Sequence, residues 1–210
     1  PCPRIEPADL VAELSALVEA AGHDWTRARP RILARLKEIR ADFMRNAERR
    51  LLADGGGRAC ARRLAQGHDA LVEAIAPIAS RHVYRVDNRS SGEHIAILAT
   101  GGYGRGTLAP QSDVDLLFLF PYKKTPWTEN IVETVLYLLW DMGLKVGHAT
   151  RTVDECIRQA RADMTIRTAL LETRFICGDE ELANAFRERF DNAIVRGSAP
   201  EFIAAKLAER

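Results

Sequence analysis

Asp113 and Asp115 are the residues in this chain best placed by type and spacing to do chemistry. They stand at the entrance of an apolar run, Val114 to Phe120, that reads as a strand. Side chains alternate along a strand, so the two carboxylates project from one face, about 7 Å apart along its axis. Such a pair repels itself and is costly to desolvate unless a cation lies between. Mg²⁺ suits it, because it takes hard oxygen ligands and shares its shell with substrate phosphates. Ten residues earlier comes a glycine-rich turn containing Gly101, Gly102, Gly104 and Gly106. Its backbone can take conformations with φ > 0 and approach a ligand closely, and successive amides there form an anion-binding nest. Arg105 adds a forked donor suited to phosphate oxygens.

Taken singly, these parts are common. The glycine cluster is not the dinucleotide G-x-G-x-x-G, since Tyr103 holds its second glycine position, and it lacks the Gly-Lys-Ser/Thr ending of a P-loop. An isolated Asp-x-Asp is usually a turn cap or a surface ion pair. The combination is more specific: a short apolar strand (Ile95 to Ala99), a Gly-Gly turn, then Ser112-Asp113-Val114-Asp115 opening a second strand. A phosphate cradle beside a carboxylate pair describes a nucleoside-triphosphate site.

The run Gly101 to Gly106, with Leu108-Ala109-Pro110-Gln111-Ser112-Asp113-Val114-Asp115-Leu116-Leu117, resembles the signature of the polymerase β-like nucleotidyltransferase superfamily. Together with Leu139-Trp140-Asp141-Met142-Gly143-Leu144-Lys145-Val146-Gly147-His148-Ala149-Thr150-Arg151-Thr152, it is similar to the N-terminal domain of the bacterial protein-PII uridylyltransferase/uridylyl-removing enzyme family. The resemblance covers about residues 60 to 210. It implies UTP as donor, a tyrosine hydroxyl of the trimeric PII nitrogen-regulatory protein as acceptor, and loss of pyrophosphate. Asp113 and Asp115 are assigned as catalytic metal ligands. Thr100, Gly101, Gly102, Gly104, Arg105 and Ser112 are assigned to the nucleotide. Two metal ions ~3.5–4 Å apart would stabilise the attacking and leaving oxygens together.

The third carboxylate found in many of these enzymes has no counterpart in Lys145-Val146-Gly147-His148-Ala149. Either the two aspartates suffice with substrate oxygens and water, or an acid elsewhere, such as Asp154 or Glu172, completes the shell; His148 is either a nucleotide or acceptor contact or a structural residue. The hydrolase and regulatory domains of the resembling enzymes are not in this chain, so uridylyl removal and glutamine sensing are not assigned to it. Two alternatives stand: nucleotidyl transfer to another acceptor, such as adenylyl transfer to a protein, a small molecule or RNA, and a nucleotide-sensing module without turnover.

These residues need elements to hold them. The fold class expected is α+β: a nucleotidyltransferase core with a small mixed sheet, flanked by N-terminal helices and a C-terminal helical subdomain. The divisions fall at 1–90, 91–152 and 153–210. The first helix begins at Pro7, carries Leu10, Leu14, Leu17 and Val18, and closes at Gly22. A second runs from about Arg31 to Gly55, and a third from Arg58 toward Pro77, which should kink or end it. His23-Asp24 and His68-Asp69 look like paired metal ligands, but no matching His and Asp flank them, so a metal role there is the lesser reading. Val86 to Gly92 reads as a loop. A helix from Trp127 to Asp141 leads to a third strand, Leu144 to Ala149, in a βαβ-like return. Thr152 and Glu155 form a capping box. Helices follow at Val153 to Ala160, Met164 to Ile176 and Glu180 to Ile194.

Composition frames the rest. The 210 residues are 47% hydrophobic and 28% charged, as in ordinary globular proteins, and a net charge of +1 argues against a nucleic-acid partner. Cys2, Cys60, Cys156 and Cys177 are scattered and read as reduced thiols. No apolar run reaches transmembrane length and the first residues are no secretory leader. A soluble cytoplasmic chain is expected, and the missing initiator Met reads as a piece of a longer protein.

Overall fold

The computed structural model describes residues 6–83 and 94–196; the loop expected at Val86 to Gly92 and residue Cys2 lie outside them. Three helices come first. In α1, Pro7–Ala20, Leu10, Leu14 and Val18 recur at every fourth position and are buried, and Gly22 turns the chain at φ 69°. Helix α2, Trp25–Asp54, starts earlier than the apolar pattern indicates, because Asp24 caps it by accepting from Thr26 N at 2.9 Å and Arg27 N at 3.3 Å. Pro30 is tolerated near this end, where its missing N–H removes a single helical bond. Gly55, at φ 64°, ends α2. Helix α3, Gly57–Ile78, passes through Pro77 and widens into a π-helical turn, Ala79–Val83, rather than stopping there.

The sheet has four strands in the order β3-β2-β1-β4: β1 Ala96–Ala99, β2 Val114–Phe120, β3 Val146–Thr152 and β4 Arg174–Gly178. Strand β1 is antiparallel to both neighbours, β2 and β4, whereas β2 and β3 are parallel. A one-turn helix, α4 (Gly101–Gly104), follows β1, and α5 (Pro126–Asp141) makes the crossover from β2 to β3. Then come α6 (Val153–Ala162), α7 (Met164–Leu171) and α8 (Glu180–Phe190). The expected capping box holds at α6: Glu155 N donates to Thr152 Oγ1 at 3.2 Å, and Thr152 N donates to Glu155 Oε2 at 2.7 Å.

One expectation is corrected. Residues 164–176 are not a single helix; α7 stops at Leu171, and Arg174–Gly178 pairs with β1 as the edge strand β4. The stretch Thr173 to Cys177 is rich in β-branched and aromatic residues, which suit a pleated surface better than a helix. The third strand also lies further along than expected, reaching Thr152 instead of closing at Ala149.

Both faces of the sheet are covered. Ile97, Ala99, Leu116, Phe118 and Phe120 pack with buried residues of α1, α2, α3 and α5. Ala96, Leu98, Leu117 and Leu119 pack with α6, α7 and α8. That double burial is why β2 is apolar nearly throughout, and each large side chain there contributes about 1.5–3 kcal/mol. By alternation Asp115 shares its face with Leu117 and Leu119, toward α6–α8.

Candidate active site

At the end of β1 the chain must leave the sheet, and the glycine turn decides how. Thr100 is still extended, and its N–H donates to the Asp115 carbonyl at 3.0 Å. Gly101, at φ 56°, then bends the backbone into α4, a conformation costly for any residue with a side chain. Gly104 N donates to Thr100 O at 2.9 Å and Arg105 N to Gly101 O at 3.2 Å, closing the turn. The opening amides of such a turn have no acceptor within it and are available to an anion. The turn also lies against the acid: a Cβ at Gly101 would sit 3.6 Å from Asp115 Oδ2.

Three side chains from three elements fix the turn from beneath. Tyr103 is 1% exposed, and its hydroxyl donates to Asp69 Oδ1 at 2.7 Å. Arg174, on β4, reaches both Asp69 oxygens at 2.9 and 3.0 Å, donates to Tyr103 O at 3.3 Å, and lies over the Tyr103 ring. Burial and then the neighbouring Asp69 push the phenol pKa well above its usual range, so Tyr103 remains a donor. Asp69 is thus a strut of the turn. Its neighbour His68 is buried, with Nδ1 2.7 Å from Leu64 O and its ring edge-on to Phe43. Asp24 is the α2 cap. Among the described residues no group of three or more His, Cys, Asp and Glu is placed to hold a metal ion.

Asp113 is exposed just before β2, and Asp115 is half-buried on its first turn of pleat. The Asp115 carboxyl is raised above the ordinary value of 3.8, first by desolvation and then by the charge of Asp113. Two neighbouring acids, one of them partly desolvated, form a combination that a nearby positive charge would relieve. The cleft beside Asp115, about 310 Å³, runs between the sheet and α7. Thr100, Gly101, Gly147 and Arg151 line it from the sheet side, and Thr165, Ile166 and Ala169 from α7. Across β3, Gly147 is the register partner of Asp115.

The other expected residues are distributed unevenly. Arg105 donates to Glu172 Oε2 at 2.6 Å on the surface. Gly104 faces protein: a Cβ there would come closer than 3.0 Å to the carbonyl oxygen of Glu172. Gly102 is open, with Arg105 Nη2 3.5 Å from where its Cβ would be. Ser112 is exposed in a turn that includes Gln111 at φ 66°, and it lines a separate hollow with Pro110, Gly143 and Lys145. His148 borders the same cleft, but it pairs with Leu116 and its ring lies on the α5 face, 5.9 Å from the Trp140 ring. Asp154 is ion-paired with Arg189 and Glu172 with Arg105, so both acids considered as a third ligand are engaged elsewhere.

Sequence reasoning did not single out Gly147, Arg151, Thr165, Ile166 or Ala169 as cleft residues. The signal for the first two was the parallel register of β2 and β3, which is readable only once both strand starts are known. The three on α7 carry no motif.

Residues 82–176 match the family described as nucleotidyltransferase domain. Over 207 residues, 99% of its length, the chain is 51% identical to the bifunctional uridylyltransferase/uridylyl-removing enzyme of Rhodopseudomonas palustris. It is 51% identical over 212 residues to the enzyme of the same name from a Bradyrhizobium species. In both cases the match spans 22% of the relative, so the chain corresponds to about a fifth of these proteins.

Proposed function

We propose, for a chain whose residues 82–176 match the nucleotidyltransferase domain family, that it moves UMP from UTP to a tyrosine hydroxyl of the PII nitrogen-regulatory protein. The acceptor oxygen gives up its proton to water and bonds to the α-phosphorus, the bond from that phosphorus to the bridging oxygen breaks, and pyrophosphate leaves with its electron pair. The observation that carries this reading is the half-buried Asp115, with its pKa raised beside Asp113, packed against the turn at Gly101. Uridylyl transfer is also what the names of the two relatives describe.

The two carboxylates suit a divalent ion, because their hard oxygens are close enough for the charge of Asp113 to raise Asp115, and the desolvation of Asp115 leaves a positive charge welcome there. Asp113 and Asp115 would hold magnesium, with substrate oxygens and water completing the shell. When bound, magnesium stabilises the negative charge that builds on the attacking and leaving oxygens. Turn amides at Gly101 and Gly102 orient the triphosphate tail, and α7 closes the cleft against water. Arg105 reaches phosphate by exchanging its Glu172 partner for the substrate. We assign no uridylyl removal to these residues. The setting is the cytoplasm, in keeping with free thiols at Cys60, Cys156 and Cys177 and with no described helix long and apolar enough to cross a membrane.

Pyrophosphate release is the test, measured with Mg²⁺, each of the four nucleoside triphosphates, and PII present or absent. Release with UTP only when PII is present is the expected result. Release with another triphosphate or acceptor redirects the substrate, and thermal stabilisation by nucleotide without release in any mixture makes the chain a sensor.

A further inference from the structure

Strand β3 carries a glycine, Gly147, at the position that faces Asp115 across the sheet. Glycine weakens a strand interior, so its presence there calls for a reason. The backbone does not supply one: Gly147 is absent from the glycines with positive φ, and any residue could adopt its conformation. Space does. A Cβ at Gly147 would lie closer than 3.0 Å to Asp115 Oδ1, and Asp115 Cγ is the next atom at 3.4 Å.

The identity of the atom met matters as much as the distance. At Gly104 a Cβ would strike the backbone carbonyl of Glu172, and at Gly178, with φ at +100°, it would strike Ile95 O. Those glycines hold main chain together, and a side chain there must move main chain. At Gly147 the obstacle is the free end of one side chain, which rotates away at little cost to the fold. What is lost is the place where that carboxylate stands.

We infer that Gly147 is a positioning residue, whose missing side chain leaves the Asp115 carboxylate room to take up its metal-binding orientation. The inference rests on the metal role proposed for Asp115.

The test uses the 210-residue chain and Mn²⁺ as the probe, titrated calorimetrically without nucleotide, with thermal melts run in the absence of metal. Four proteins are compared: wild type, Gly147→Ala, Asp115→Ala and the double variant. Gly147→Ala should melt within about 2 °C of wild type and bind Mn²⁺ about 10–100-fold more weakly, the range for displacing a ligand's support. Raising Mg²⁺ should restore part of the transfer rate. In the Asp115→Ala background the added methyl meets no carboxylate, so the double variant should melt and bind as Asp115→Ala does. Undiminished Mn²⁺ affinity in Gly147→Ala overturns the inference while leaving the metal site standing, provided Asp115→Ala has lost the ion. A Gly147→Ala chain that unfolds even in the Asp115→Ala background also overturns it, because the glycine is then needed by the strand. If wild type binds no Mn²⁺, or Asp115→Ala binds it fully, the metal reading fails and takes this one with it.

Discussion

A carboxylate that is half-buried beside another acid stores an unfavourable interaction until something positive arrives, and Asp115 is in that position. Its folded-state pKa is raised, so the stability it supports is fully present below its ordinary pKa. That stability is lost as pH rises from about 4 through the raised value. Asp115→Asn should therefore melt no lower than wild type at pH 7, and the two melting curves should converge as pH falls toward 4. Activity should go the other way. Losing a ligand worth several kcal/mol of charge stabilisation lowers transfer by roughly 1000-fold in Asp113→Asn or Asp115→Asn. Near wild-type turnover in both would remove the metal assignment. The closeness of the two acids was legible in the sequence, because a two-residue spacing at the start of an apolar strand keeps one charge within reach of the other. The fate of Arg105 was not, since its partner Glu172 is 67 residues away in the chain.

At the scale of elements, α4 is too short to hold itself and depends on what packs against it. Tyr103→Phe removes the hydroxyl donated to Asp69, which Arg174 still neutralises, and should cost about 1 kcal/mol in urea unfolding. Gly104→Ala forces α4 away from the Glu172 carbonyl and should cost about 1–3 kcal/mol, with weaker UTP binding as the turn shifts. A Gly104→Ala chain as stable as wild type would show that the turn yields more freely than its packing indicates. The sequence gives β2 residue for residue, because an apolar run between Asp113 and Pro121 has clear ends. It did not reveal β4, because Phe175 and Cys177 continue the helical spacing of Leu171 and Leu170, and only pairing with β1 reveals the strand. Gly147 escaped notice for the same reason: its meaning lies in a register between strands, and registers are settled by the whole sheet.

Over the molecule as a whole, Leu10, Leu14 and Val18 of α1 belong to the same buried cluster as Ile97, Leu116 and Phe118 of the sheet. At about 1.5–3 kcal/mol apiece, the three α1 residues contribute an amount comparable with the 5–15 kcal/mol that separates a domain from its unfolded state. Residues 6–196 should therefore unfold in a single urea transition, whether followed by tryptophan fluorescence or by circular dichroism. Deleting residues 1–24 should leave a chain that binds a hydrophobic dye and melts broadly. Two well-separated transitions in the intact chain would instead mark the N-terminal helices as an independent unit.

Because β1 is seated between β2 and the late strand β4, and Arg174 of β4 grips Tyr103 and Asp69, synthesis order constrains when the site can exist. A ribosome that has released Asp113 and Asp115 into the cell has yet to deliver the clasp for the turn beside them. Until Arg174 emerges, the nascent polypeptide has its acids in hand but no firm seat for a triphosphate, so nucleotide cannot guide the early steps of its maturation.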